Sequence, residues 1–250
     1  KLFGPQASIL STALYLVLAP IVDSIDVNYG AWMIAPYIWS FVCFVSFMKS
    51  RKFRWLIAAG ALLAMAGLLK RQGAVLTPLF GVALFVIARQ EHDGIKATIV
   101  ETLRLLIPLL LGLALGFLPI FVFYAAHGAL GEFAHHYFFS PGGWSYLDTL
   151  SWTEKKVRLS DGVLGFLEYG ACATVLAGIS LISRILQQFA QIRQHAQRET
   201  ESWLLVIGLL AVSVLGLSLG FRFFKGYYLQ TLPALVWIAG ASAGALGLVF

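Results

Sequence analysis

The sequence lacks the motifs that bind nucleotides or metals in many enzymes. It contains neither a P-loop nor the glycine fingerprint of dinucleotide-binding domains, so neither cytoplasmic ATP nor a bound nicotinamide is indicated. Its two cysteines, Cys43 and Cys172, lie inside apolar runs, which favours small packed residues over a disulfide or metal ligands. His135 and His136 are adjacent, and no HxH or HxxxH spacing supports a metal site, so an interfacial structural role is favoured for them.

Charged residues are also scarce. They make up 12% of the 250 residues, whereas 59% are hydrophobic, and the mean hydropathy is +0.82. Soluble domains carry about 25% charged residues, so the composition predicts an integral membrane protein with several spans. The formal net charge of +6 is not gathered into a dense basic block interleaved with aromatics, which argues against nucleic acid as a partner.

Hydropathy predicts an all-α bundle of about eight transmembrane helices. The predicted spans are 5–22, 31–48, 53–69, 73–88, 103–126, 162–184, 203–220 and 229–249. We expect residues 1–250 to form a single transmembrane domain that is part of a longer chain. Small residues four apart, such as Gly112 and Gly116, predict close contacts between helices.

The distribution of cations predicts the orientation of these spans. With the first loop placed outside, eleven of the 18 Lys and Arg residues fall on the inner side. These are Lys1, Lys49, Arg51, Lys52, Arg54, Arg89, Lys96, Arg104, Arg184, Arg193 and Arg198. Because short basic loops face the cytoplasm, the cluster KSRKFR at 49–54 predicts a cytoplasmic N-terminus.

The other seven cations fall on the outer side. Lys155, Lys156 and Arg158 belong to a long segment, 127–161, which we predict to be an extracytoplasmic loop with one or two short interfacial helices. In that loop these three side chains are expected simply to face solvent.

Two pairs of outer cations stand at the ends of tight connections instead. They are Lys70 with Arg71, between the third and fourth spans, and Arg222 with Lys225, between the last two. Cations at an outer surface suit a phosphate or an anionic headgroup, whereas interfacial snorkelling of long side chains is the ordinary alternative. Because two short connections share the same anomaly, the phosphate interpretation is favoured.

Two carboxylates near the outer surface are further candidates. Asp26 precedes the second span, where it could act as a base, bind a sugar hydroxyl, hold a cation or be an ordinary loop residue. Glu168 lies about two turns inside the sixth span, where an ionisable group is functional or is neutralised by a nearby cation.

Several stretches together carry a resemblance to a known family. FRFFKGYYLQTLPALVWIAG at 221–240, AGLLKRQGAVLTPLFGVALF at 66–85, KLFGPQASILSTALYL at 1–16 and GALGEFAHHYFF at 128–139 occur in that order. The run is similar to the C-terminal portion of polyprenyl-phosphate-dependent GT-C glycosyltransferases, especially the bacterial protein O-mannosyltransferase-like and lipid A aminoarabinose transferase-like enzymes. Each motif is weak alone, but the likeness covers nearly the whole chain.

The resemblance implies a GT-C-like fold in a bacterial inner membrane and transfer of a sugar from a polyprenyl-phosphate donor to a lipid, glycan or protein acceptor outside. It implies that Lys70 or Arg71, with Arg222 and Lys225, hold the donor phosphate. Tyr227 and Tyr228 would line the donor site. No cofactor is assigned, and dependence on a divalent metal is left open.

The chain departs from the family at the catalytic Asp or Glu, which acts as the base. The family carries this carboxylate in an outer loop before the matched region, so we expect it upstream of Lys1, with Asp26 as a supporting acid. The alternative function is a lipid or solute transporter, or a non-catalytic membrane subunit, in which the same cations would anchor lipid.

Overall fold

A computed structural model of the chain describes residues 5–19, 29–139, 150–190, 196–218 and 225–245. Every regular element in these ranges is helical, which confirms the all-α prediction for them. The α-helices are α1 (Pro5–Leu18), α2 (Tyr29–Ser50), α3 (Phe53–Leu69), α4 (Leu76–Glu91), α5 (Ile95–Ala126), α6 (Leu130–Ala134), α7 (Trp152–Ala190), α8 (Ala196–Ser218) and α9 (Leu232–Ala245). Short 3-10 turns at Arg71–Val75 and Lys225–Gln230 and a π-helical turn at His135–Phe139 join some of them.

Two helices are longer than the apolar runs inside them. Helix α5 begins at Ile95 rather than at 103, and α7 begins at Trp152, inside the segment that the sequence predicts to be a loop. Hydropathy detects only the part of a helix that lipid could surround, whereas Lys and Glu in the added turns are good helix formers. The helices therefore continue through polar sequence that the prediction leaves out.

Among the residues that the structure describes, three helices are long and apolar enough to cross a membrane: Trp32–Ser50, Arg71–Glu91 and Ile95–Ala126. Four further apolar helices in the described ranges are shorter, at Ala7–Leu18, Phe53–Leu69, Trp203–Gly216 and Tyr228–Ala241. The 32 residues of α5 span about 48 Å at 1.5 Å per residue. That length exceeds the hydrocarbon core of a bilayer, about 30 Å. These helices are those of a membrane protein.

The chain divides into two compact units. One consists of Trp32–Ser151, and the other of Lys1–Ala31 together with Trp152–Phe250. The first unit, called here the central unit, contains α3 to α6 and nearly all of α2. The second, called the flanking unit, contains α1 and α7 to α9, in which α9 packs on α1 and α7.

Glycine allows α3 and α5 of the central unit to pack with their backbones in contact. A methyl group added at Gly60 would collide with the Leu109 carbonyl, and one added at Gly112 would collide with the Ile57 carbonyl. At Gly116 an added Cβ would lie 2.6 Å from Ala64 Cβ. The predicted close contact through Gly112 and Gly116 is confirmed.

Aromatic packing and an ion pair join α2 to α4. The rings of Phe44 and Phe80 stack with centroids 4.2 Å apart and planes 3° from parallel. At the C-terminal ends of the same helices, Arg51 Nη2 lies 2.6 Å from Glu91 Oε1. The two C-termini therefore meet at one end of the central unit, called here the basic end, and the α3–α4 connection lies at the opposite end, called the tip.

Candidate functional site at the tip of the central unit

The tip is a tight connection that only glycine permits. Helix α3 ends at Leu69; the backbone of the next residue, Lys70, is extended (φ −157°, ψ 127°), and the Gly73 N–H donates to the Lys70 carbonyl at 2.7 Å. A side chain at position 73 would collide with the Ala66 carbonyl. The sequence KRQG thus folds back on α3 and fixes Lys70 and Arg71 at the turn, as predicted for the hairpin.

Lys70 is partly buried at this turn. Desolvation by burial lowers the pKa of its ammonium group from 10.5 to about 8. Burial disfavours the charged form unless an anion compensates it. An anionic ligand would therefore gain more from Lys70 than from a fully hydrated lysine, because part of the desolvation is already complete.

Arg71 joins the tip to the segment that follows α5. Its Nη2 donates a hydrogen bond of 2.6 Å to the His136 carbonyl oxygen, and its guanidinium carbon lies 5.9 Å from the centre of the Tyr137 ring. Burial raises the pKa of Tyr137 to about 12, with the Arg71 charge acting in the opposite direction. The phenol therefore stays protonated near neutral pH and can donate a hydrogen bond.

Three aromatic rings form a stack beside Arg71. The Tyr124 and Phe133 centroids are 4.6 Å apart with planes inclined by 16°, and Phe133 and Tyr137 follow at 5.4 Å and 18°. Offset stacking of this kind adds about 0.5–1.5 kcal/mol per pair beyond the burial of area. The stack, named here the aromatic wall, holds α5, α6 and the π-helical turn together.

A cavity of about 310 Å³ opens between the wall and the tip. Its lining combines aromatic and ionisable side chains: Arg71, Tyr124, Ala129, Glu132, Phe133, His136 and Tyr137. Small-molecule sites are typically concave, aromatic-lined and furnished with a few polar groups, with volumes of about 300–1,000 Å³. The tip cavity has these features within one compact unit.

Most of the lining was not predicted from the sequence. Tyr124 lies in the predicted fifth span, and Glu132, Phe133 and Tyr137 lie in the segment that we predict to be a loop with one or two short interfacial helices. The signal that could have found them is spacing, because Glu132 and His136 are four residues apart, as are Phe133 and Tyr137. Side chains four apart lie on the same face of a helix.

The second predicted cluster belongs to the flanking unit. Arg222 lies outside the described residues, and Lys225 and Tyr227 lie in the 3-10 turn Lys225–Gln230. Tyr228 is buried, and its hydroxyl donates a 2.8 Å hydrogen bond to the Gly162 carbonyl of α7. That bond anchors the turn on α7.

Of the remaining candidates, His136 lines the tip cavity. Asp26 lies outside the described residues. His135 and His136 are exposed, with ring centroids 5.6 Å apart. Glu168 is exposed on α7. Across the described ranges no three His, Cys, Asp or Glu side chains gather as metal ligands would.

Comparison of the chain with protein-family models, with curated proteins and with solved structures returns no match.

Proposed function

We propose that the protein is a membrane glycosyltransferase with a GT-C-like bundle of about eight spans. In this proposal it moves a sugar from a polyprenyl-phosphate donor to an acceptor on the extracytoplasmic side of a bacterial inner membrane. The observation that carries the proposal is the Lys70–Arg71 pair, which stands beside an aromatic cavity at the end of the central unit opposite the basic end.

The chemistry of the pair suits a phosphate. Lys70 is a partly desolvated point charge with a pKa of about 8, and a guanidinium such as that of Arg71 can donate two parallel hydrogen bonds to phosphate oxygens. The resemblance alone supports Arg222 and Lys225, with Tyr227 and Tyr228, as donor-binding residues, and this assignment remains a prediction.

The proposed reaction is an inverting displacement. A carboxylate base takes the proton of an acceptor hydroxyl, whose oxygen attacks the anomeric carbon. The bond from that carbon to the phosphate oxygen breaks, its electron pair stays on that oxygen, and polyprenyl phosphate leaves. The cations would stabilise the charge that develops on the leaving phosphate, a form of electrostatic assistance worth about 3–4 kcal/mol when one donor is removed.

Transfer by membranes containing the Lys70→Ala variant tests the proposal. We expect the rate of sugar release from a polyprenyl-phosphate donor to fall by about 10²-fold, because a preorganised charge is lost. Lys96→Ala is the matched control, since Lys96 is an exposed lysine at the start of α5, near the other end of the unit. Unchanged release in Lys70→Ala, or donor-lipid movement without any sugar release, would contradict the transferase and favour the transporter.

A further inference from the structure

The shape of the tip cavity suits one small ring-shaped ligand. Its volume, about 310 Å³, is at the lower end of the range for small-molecule sites, about 300–1,000 Å³. The cavity opens next to Arg71, so a ligand inside it would lie beside the proposed phosphate contact.

One side of the cavity favours the apolar face of a ligand. The rings of Tyr124, Phe133 and Tyr137 stack with centroids 4.6 Å and 5.4 Å apart, so Phe133 is the middle ring and holds the two tyrosines in place. The face of an aromatic ring is electron-rich, so it attracts the polarised C–H groups of a pyranose ring. The wall can therefore offer a sugar the faces of Tyr124 and Tyr137 that are not stacked on Phe133, and both tyrosines line the cavity.

The charged groups favour a ligand that is neutral and rich in hydroxyls. Glu132 supplies a carboxylate that accepts hydrogen bonds, and Arg71 supplies donors. Glu132 would repel a second phosphate, and Arg71 would repel a cationic ligand. Hydroxyl groups, which donate to one side chain and accept from the other, satisfy both.

We infer that this cavity is a monosaccharide subsite, in which the aromatic wall packs against the C–H face of one pyranose ring while Glu132 and Arg71 bind its hydroxyls. The inference rests on the proposed function only for the source of the sugar, the glycosyl group of the donor. Glu132 is here a binding residue for the sugar.

Saturation-transfer NMR on the full chain in lipid nanodiscs measures the subsite directly. The probes are methyl hexopyranosides and methyl pentopyranosides, with inorganic phosphate as a separate ligand. We expect signals from ring C–H protons of at least one glycoside in the wild type. Phe133→Leu and Glu132→Gln should each weaken glycoside binding by about tenfold, the loss expected for about 1.4 kcal/mol.

Matched variants separate loss of the subsite from loss of fold. Phe139→Leu removes a neighbouring ring that is 75% exposed, and Asp93→Asn removes an exposed carboxylate near the start of α5. Both should bind glycosides like the wild type. Phe133→Tyr keeps the ring of the wall, so it should restore binding if Phe133→Leu acts through the lost ring and not through general unfolding.

The outcomes of the two tests are distinguishable. Glycoside binding that Phe133→Leu and Glu132→Gln abolish, in a chain that releases no sugar from polyprenyl phosphate, supports the subsite and contradicts the transferase. Normal transfer with no glycoside binding, or with binding that both variants leave unchanged, overturns the subsite and leaves the transferase standing. Binding of inorganic phosphate alone also overturns it.

Discussion

The two ends of the central unit use the same residue types for different purposes. At the basic end, Arg51 pairs with Glu91 at 2.6 Å and Arg104 with Glu101 at 3.5 Å, and these arginines are exposed. At the tip, Arg71 is also exposed and donates to the His136 carbonyl oxygen, whereas Lys70 is partly buried. Exposed ion pairs contribute little, about 0–1 kcal/mol, whereas a partly desolvated ammonium such as that of Lys70 favours a bound anion. The difference in the solvation of Lys70 supports the proposal of a binding site at the tip.

Replacing Gly73 with Val should have the largest effect, because the added side chain disrupts the turn at the tip. The added side chain meets the Ala66 backbone, and such overpacking costs about 3 kcal/mol. Gly81→Ala is the matched control, since a Cβ at Gly81 meets nothing within 4 Å. In thermal unfolding in detergent, the melting temperature of Gly73→Val should be much lower than that of the wild type, and that of Gly81→Ala should not be lower. Equal melting temperatures would show that the tip tolerates a looser turn.

Replacing one arginine at each end of the central unit with alanine should give the next largest effect on transfer. Arg71→Ala removes both the bond to the His136 carbonyl and the proposed phosphate contact, so transfer should fall about tenfold, the usual scale for a charged hydrogen bond. Arg51→Ala breaks an exposed ion pair, so it should cost at most about 1 kcal/mol of stability and leave transfer unchanged. Initial rates and melting temperatures of both variants measure this, and the reverse pattern would invalidate the assignment of the two ends.

A smaller effect is expected from pH, which should change both the stability of the protein and its kcat/KM through Lys70. The pKa of Lys70 lies near 8 in the folded chain against an ordinary value of 10.5, so between these values the unfolded chain binds more protons. Stability should therefore rise with pH across that window, while kcat/KM for the donor falls as the ammonium charge is lost.

Lys70→Arg is the control for this pH profile, because a guanidinium does not titrate in that range. Rates and melting temperatures are measured on both proteins. If kcat/KM falls with pH in the same way in the wild type and in Lys70→Arg, a group other than Lys70 is titrating.

Local patterns in the sequence predict the helices and the hairpin, but not the cavity. Apolar runs locate α2 to α5 because lipid-facing helices need them, and KRQG marks the turn because Gly73 fits where no side chain can. The Arg71–His136 bond joins residues 65 positions apart, and no local pattern encodes such a contact. The wall is not predicted for a different reason: short helices are expected in the loop that contains Phe133 and Tyr137, but no hydropathy pattern indicates which rings stack.

Photo-crosslinking of a polyprenyl-phosphate sugar with a diazirine beside its phosphate tests the central claim most directly. After irradiation of membranes containing the full chain, peptide mapping by mass spectrometry locates the adducts. We predict adducts in the tip turn Arg71–Val75 and in the π-helical turn His135–Phe139, and a loss of both in Lys70→Ala. Adducts confined to the basic end, around Glu91 and Lys96, would contradict the account.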